Sequence, residues 1–368
     1  MGRENVLRQV RGMRIVAVAA VGSLALAAAG CGKPPKDETP GSGGSATAGK
    51  DFSACMVTDT GGIDDRSFNA SAWKGLQDAA KENKNIKPKY VPSKAEADYE
   101  PNLTAYAQQK CDLVVAVGGL MADATKKVAT ANPNVKFAIV DSKIDLPNVY
   151  SLQFDTAQAG FLAGYLAAGT SKTGKVATYG GLKIPPVTIF MDGFADGVAQ
   201  YNQVKGKTVA VLGWDKKAQN GTFAESFTDQ NKGKAISDNF VAQGADVIMP
   251  VAGGTGIGTA SAAAGKYSVV WVDTDGCESA QQFCSTFLTT VVKGIPTAVK
   301  QAALDTAAGK PATTGFVGTL ENNGVSIAPY HEFDSKVPAD LKAEIDKLKQ
   351  DIISGTVKVT SPNQPATK

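Results

Sequence analysis

Residues 52–82 read FSACMVTDTGGIDDRSFNASAWKGLQDAAKE. Phe52–Thr58 is an uncharged, mainly apolar run, Asp59–Ser67 is rich in glycine and acid, and the rest carries small and apolar residues at helical spacing. That is a strand, a loop and a helix. Moving outward, the same unit recurs. Further strands are expected at 113–117, 137–140, 149–154, 175–179, 208–212, 247–251 and 268–272, with helices at 67–82, 98–110, 121–131, 157–168, 189–201, 234–244, 257–265 and 290–309. Runs that are apolar throughout suit strands buried on both faces, so the alternation predicts an α/β fold of βαβ units in doubly wound parallel sheets. Near the end Leu341, Ile345, Leu348 and Ile352 make an amphipathic stripe between Pro338 and Gly355, a helix packed on a domain surface.

In open α/β sheets ligands bind beyond the carboxyl ends of the strands, which is where Asp59, Phe68 and Asn69 fall. A carboxylate, a ring and an amide in one loop suit a flat polar heterocycle, stacked on its face and hydrogen-bonded at its edge. Asp64 or Ser67 is expected to cap the helix that follows.

Several classes drop out. Lys and Arg total 38 against 35 Asp and Glu, a net charge of +3. Four arginines and one glutamate in residues 1–30 account for all of it, so no basic surface for nucleic acid remains. One histidine, His331, is too few for a His-based triad or a multi-His metal site, and no cofactor is indicated. Gly169–Val176 imitates a phosphate loop but has Val176 where the magnesium-binding hydroxyl belongs, and a helix precedes it instead of following. Gly254-Thr255-Gly256-Ile257-Gly258 lacks the third glycine of a dinucleotide fingerprint.

Arg8, Arg11 and Arg14 precede the uncharged run Ile15–Ala29, 15 residues long and too short to span a bilayer, as expected of a signal peptide over 1–30. It ends Leu26-Ala27-Ala28-Ala29-Gly30-Cys31, small residues before a cysteine, which resembles a bacterial lipobox with Cys31 as the lipidated residue. Two acyl chains anchor a protein stably where one is marginal. The polar stretch to residue 50 reads as a leash with a root-mean-square span of about 25 Å, placing the folded part on the extracytoplasmic face of the cell membrane. Of the other cysteines, proximity favours Cys277 with Cys284, leaving Cys55 with Cys111.

The opening D-x-G-G-x-x-D-x-S-F-N is followed, in order, by Val117–Met121, Phe137–Asp141, Phe154 through Tyr165, Gly213-Trp214-Asp215, Ala252–Gly256, Val272–Asp275, Val291–Lys293 and Ser354-Gly355. Together these resemble the basic membrane protein (BMP) family of lipoproteins, PnrA-like substrate-binding subunits of ABC importers, over essentially Phe52 to Val359. The resemblance implies a type I periplasmic-binding-protein fold, two lobes joined by crossover hinge strands, with a nucleoside, expected to be a purine one, enclosed between them. It implies a monomeric, non-enzymatic receptor working with an ABC permease and ATPase. Lobe 1 is expected over 51–155 and 277–316, lobe 2 over 156–276 and 317–360, and a disordered tail over 361–368. Carried over by motif, Phe68 and Trp214 sandwich the base, Asp59 and Asn69 meet its edge, and Asp141, Asp273 and Lys293 hold the ribose. Gly254 lets backbone approach, and Met121 stands where many members carry an aromatic residue. Asp275 competes with Asp273 for its role. The alternatives are the same fold binding a sugar or other small polar ligand, a sensor in place of an importer subunit, and a hydrolase using Asp59, Asp64 and Asp65 around calcium.

Overall fold

A computed structural model describes residues 50–310 and 315–366. The leader, Cys31 and the leash before residue 50 lie outside the described residues. The chain first lays down β1 (Phe52–Thr58), α1 (Phe68–Glu82), β2 (Ile86–Val91), α2 (Tyr99–Gln108), β3 (Leu113–Val117), α3 (Ala122–Ala131), β4 (Lys136–Val140) and β5 (Val149–Phe154). It then forms α4 (Thr156–Thr170), β6 (Lys175–Gly180), α5 (Pro185–Lys205), β7 (Ala210–Leu212), the short β8 (Trp214–Asp215) and β9 (Asn220–Gly221), and α6 (Gln230–Ala242). Next come β10 (Val247–Val251), α7 (Gly256–Ala262), β11 (Ser268–Asp273), α8 (Gly276–Ser279) and β12 (Phe287–Lys293). The last elements are α9 (Ile295–Ala307), β13 (Phe316–Gly318), β14 (Val325–Ile327) and α10 (Ala339–Ile353).

Two six-stranded sheets result, ordered β13-β5-β4-β3-β1-β2 and β14-β12-β11-β10-β6-β7. Every pairing in the first is parallel, and in the second only β12 with β14 is antiparallel. The orders match strand for strand, so β4 in one lobe occupies the place of β11 in the other. The chain passes between lobes at Asp155, at Gly294 and at residues 319–324. The crossovers are bonded to one another: Asp155 N–H donates to Gly318 O and Gly294 N–H to Gly324 O, both at 2.8 Å. Disulfides join Cys55 to Cys111 and Cys277 to Cys284.

Three expectations need correction. Residues 277–294 are expected in lobe 1, but β12 pairs with β11 and belongs to lobe 2; lobe 1 regains the chain only at α9, which packs on α1. The helix expected over 290–309 starts at Ile295 for the same reason, because Thr289-Thr290-Val291-Val292 is β-branched and lies in a fully sandwiched strand. The tail is not loose over 361–366: Ser361, Asn363 and Gln364 bond to side chains in lobe 2 and at the first crossover. The stripe of α10 is buried at all four positions, Leu341, Ile345, Leu348 and Ile352.

Helices α4 and α5 approach closely. A Cβ on Gly164 would lie 2.1 Å from Phe194 O, and one on Gly197 would lie 2.0 Å from Phe161 O. Such contacts leave no room for a methyl group unless the helices separate, and interiors at crystal-like density resist that. Gly164→Ala is therefore expected to destabilise the protein by about 3 kcal/mol, read as a fall in the urea midpoint at unchanged slope.

Candidate functional site

The C-terminal ends of both sheets face a common cleft. From lobe 1 it receives Asp59 after β1, Phe68 and Asn69 at the start of α1, Gly118 after β3 and Asp141 after β4. From lobe 2 come Phe190 on α5, Phe227, Gly254 after β10, Asp273 at the end of β11 and Lys293 at the end of β12.

The loop after β1 is built around Asp65. Its carboxylate accepts from the backbone N–H groups of Ser67, Asn69 and Ala70 at 3.1, 2.7 and 3.1 Å, and so caps α1. Neither Asp64 nor Ser67 does this; the Ser67 hydroxyl instead donates across the cleft to Asp273 Oδ2 at 2.7 Å. Asn69 Nδ2 donates to Asp59 Oδ1 at 2.7 Å and to Asp65 Oδ2 at 3.0 Å, spending both amide hydrogens. It therefore lines the cleft as the residue that positions Asp59. With Asp65 committed to the cap, the acidic loop does not present the three free carboxylates that the calcium-hydrolase alternative needs.

Asp141 and Asp273 occupy equivalent strand ends and share a left-handed backbone, φ 66° and 71°. That conformation costs a side-chain-bearing residue about 1–2 kcal/mol, so the turns are held by their surroundings. Between the two carboxylates sits Lys293, 2.5 Å from Asp141 Oδ2 and 3.8 Å from Asp273 Oδ1, with its ammonium 4.8 Å from the centre of the Phe68 ring. Lys293 comes from lobe 2 and Asp141 from lobe 1, so the ion pair, like the Ser67–Asp273 bond, bridges the lobes. Burial pushes the carboxyls of both aspartates upward; the Lys293 charge opposes the shift in each.

Asp275, the competitor for the Asp273 role, points elsewhere: it accepts from Cys277 N–H and pairs with His331 at 2.7 Å. Asp275, Cys277 and His331 lie together, but the cysteine sulfur is spent in a disulfide, which leaves too few donors for a metal.

Two residues expected at the site lie elsewhere. Trp214 is outside the cleft lining: its indole N–H donates to buried Asp192 at 3.0 Å and its ring meets Phe223 edge-on at 6.0 Å. A buried indole needs an acceptor, and Asp192 on α5 supplies one away from the cleft. Phe227, farther along the same segment, lines the cleft instead and lies against Gly181, whose Cβ would fall 2.3 Å from the ring. Met121 is fully buried and is likewise outside the lining. Phe190 falls within the expected helix but is not singled out there; α5 begins at Pro185, one turn before the expected start, and that extra turn brings Pro186 and Val187 to the wall beside it.

Burial pushes the Asp59 carboxyl up to about 6, with Asp65 and Asp273 adding to the rise and bonds from Asn69 and Gly61 opposing it. A carboxyl whose folded value exceeds its unfolded 3.8 stabilises the fold while protonated and loses that contribution as pH rises through about 6. By neutral pH the ionised form costs about 3 kcal/mol. Asp59→Asn keeps an oxygen for the Asn69 and Gly61 bonds, so unfolding of the unliganded protein should show it more stable than wild type by about 2–3 kcal/mol near pH 8, the gain shrinking toward pH 4.

Two α/β lobes with a polar, ring-lined cleft at their strand ends define a solute-binding protein. A family model described as "ABC transporter substrate-binding protein PnrA-like" matches residues 52–362, and the chain belongs to that family. It is 34% identical over 355 residues to the CD4+ T-cell-stimulating antigen of Listeria innocua, covering 91% of this chain and 94% of that one. It is 34% identical over 370 residues to the ABC transporter nucleoside-binding protein BmpA of Lactococcus lactis, covering 95% and 99%. A solved solute-binding protein of an ABC transporter system from Aeropyrum pernix superposes with a TM-score of 0.75 at 25% identity, over 85% of this chain and 94% of that one. The chain is thus a substrate-binding protein of an ABC transporter, a binder of a small molecule and not an enzyme.

Proposed function

We propose that this protein is a lipid-anchored, extracytoplasmic receptor that captures a purine nucleoside between its lobes and delivers it to a membrane importer. The observation that carries the reading is the cleft itself: an aromatic ring from each lobe, Phe68 and Phe227, with carboxylates and one ammonium around them. The kinship with a nucleoside-binding relative supports it.

In this reading the two rings stack on the faces of the base, and Asp59, held by Asn69, meets its edge. Among the described residues no hydrogen-bond donor reaches Asp59 Oδ2, so that oxygen is left for the ligand. Asp141, Asp273 and Lys293 take the ribose hydroxyls, a carboxylate accepting each hydroxyl proton at about 1.5–3 kcal/mol per charged bond. Four carboxylates against one lysine in the wall disfavour a phosphate, which makes a nucleoside the expected cargo and a nucleotide not.

Titration calorimetry with inosine, guanosine and adenosine tests the proposal; absence of heat with all three ends it. Phe68→Ala and Phe227→Ala should each weaken binding by about 1–3 kcal/mol. Loss on Phe68→Ala alone would leave only one face of the sandwich. Separately, Cys31→Ser is expected to move the protein from the membrane fraction to the soluble one, and its retention in the membrane would refute lipid anchoring at that residue.

A further inference from the structure

The last described residues rest on two buried carboxylates. Gln364 Nε2 donates to both oxygens of Asp155, at 3.1 and 3.0 Å. Ser361 Oγ donates to Asp192 Oδ2 at 2.6 Å, and Asn363 Nδ2 to Thr188 Oγ1 at 2.8 Å. Asp155 is the residue at which the chain first passes from lobe 1 to lobe 2. Its backbone N–H is bonded to Gly318, where the third crossover begins, and Gln158, which donates to its carboxylate, accepts from Leu320 N–H inside that crossover. Thr188 and Asp192 lie one turn apart on α5, the helix that brings Pro186 and Phe190 to the cleft. Asp192 Oδ1 also accepts from Trp214 and Gln219, which hold the β8–β9 hairpin ahead of Phe227.

We propose that residues 361–364 are a hinge brace: they tie the first crossover to α5, hold the lobes in the closed arrangement and so position the cleft walls without touching the ligand. Opening a two-lobed protein requires backbone torsions at the crossovers to change. A carboxylate at one crossover, gripped by an amide whose neighbours Ser361 and Asn363 are bonded to a lobe 2 helix, resists that rotation. Buried Asp192 extends the same restraint to the hairpin that leads to the Phe227 ring.

Gln364→Ala and the double variant Ser361→Ala/Asn363→Ala, made in the full chain, test the brace. Hydrogen–deuterium exchange without ligand reads it directly and independently of the nucleoside proposal. Exchange over residues 153–158, 186–192 and 318–325 is expected to quicken by about fivefold or more, while the thermal midpoint falls by no more than about 2 °C. Inosine, used as the probe, should bind about three- to tenfold more weakly through faster release. Gln364→Glu, which sets a second carboxylate against Asp155, should exceed Gln364→Ala in both measurements. Faster exchange confined to residues 357–366, with the crossover peptides unchanged, would overturn the brace whatever inosine does. If wild type binds none of inosine, guanosine and adenosine, the nucleoside reading falls and the exchange result alone decides the brace.

Discussion

A single buried ammonium holds the chemistry of the cleft together. Lys293 rises from the end of β12 between the carboxylates of Asp141 and Asp273, and its nearer partner belongs to the opposite lobe. Removing these groups from water costs several kcal/mol per ion, and only close pairing recovers it. The lobes must therefore meet for Lys293 to gain its nearer partner, since Asp273 of its own lobe is 3.8 Å away, and in both acids the lysine charge opposes the upward push of burial. The Phe68 ring beneath the ammonium adds a weaker attraction to the same point.

The rest of the molecule keeps that point in register. Parallel strands deliver their carboxyl ends to one side of each sheet, so loops distant in sequence converge without a long excursion. Helices α4 and α5, fitted together through glycine, form a stiff block behind the lobe 2 wall, and α4 starts immediately after the first crossover. Asp65 does the corresponding local work in lobe 1, fixing the first turn of α1 and through Asn69 the carboxylate of Asp59.

Much of this is legible in the chain. The apolar runs at 52–58, 113–117, 149–154 and 247–251 coincide with β1, β3, β5 and β10 because a strand covered on both faces needs no polar alternation. The strand 287–293 is hidden because its β-branched residues run on into a helix through Gly294, and that continuity misplaces the lobe boundary. At the site, Asp59, Asp141 and Asp273 stand where expected strands stop; Lys293, at the end of the hidden strand, is reached only through the family resemblance of Val291–Lys293. Side chains on the long segment between β7 and α6 are not readable from strand ends. Trp214 and Phe227 are both aromatic and both on that segment, and only the buried acceptor on α5 decides which one turns inward. The docking of Gln364 is equally hidden, since its partner Asp155 lies 209 residues away.

The two sheets repeat one another closely enough that each jaw ends in an aspartate at the same left-handed turn. A clamp with matching jaws would accept an elongated guest either way round, with equal energy for both orientations. Lys293 has no counterpart at the end of β5, where Phe154 stands. Together with Asp59 and Asn69, which only the first lobe carries, that inequality makes the two orientations of a guest differ in energy.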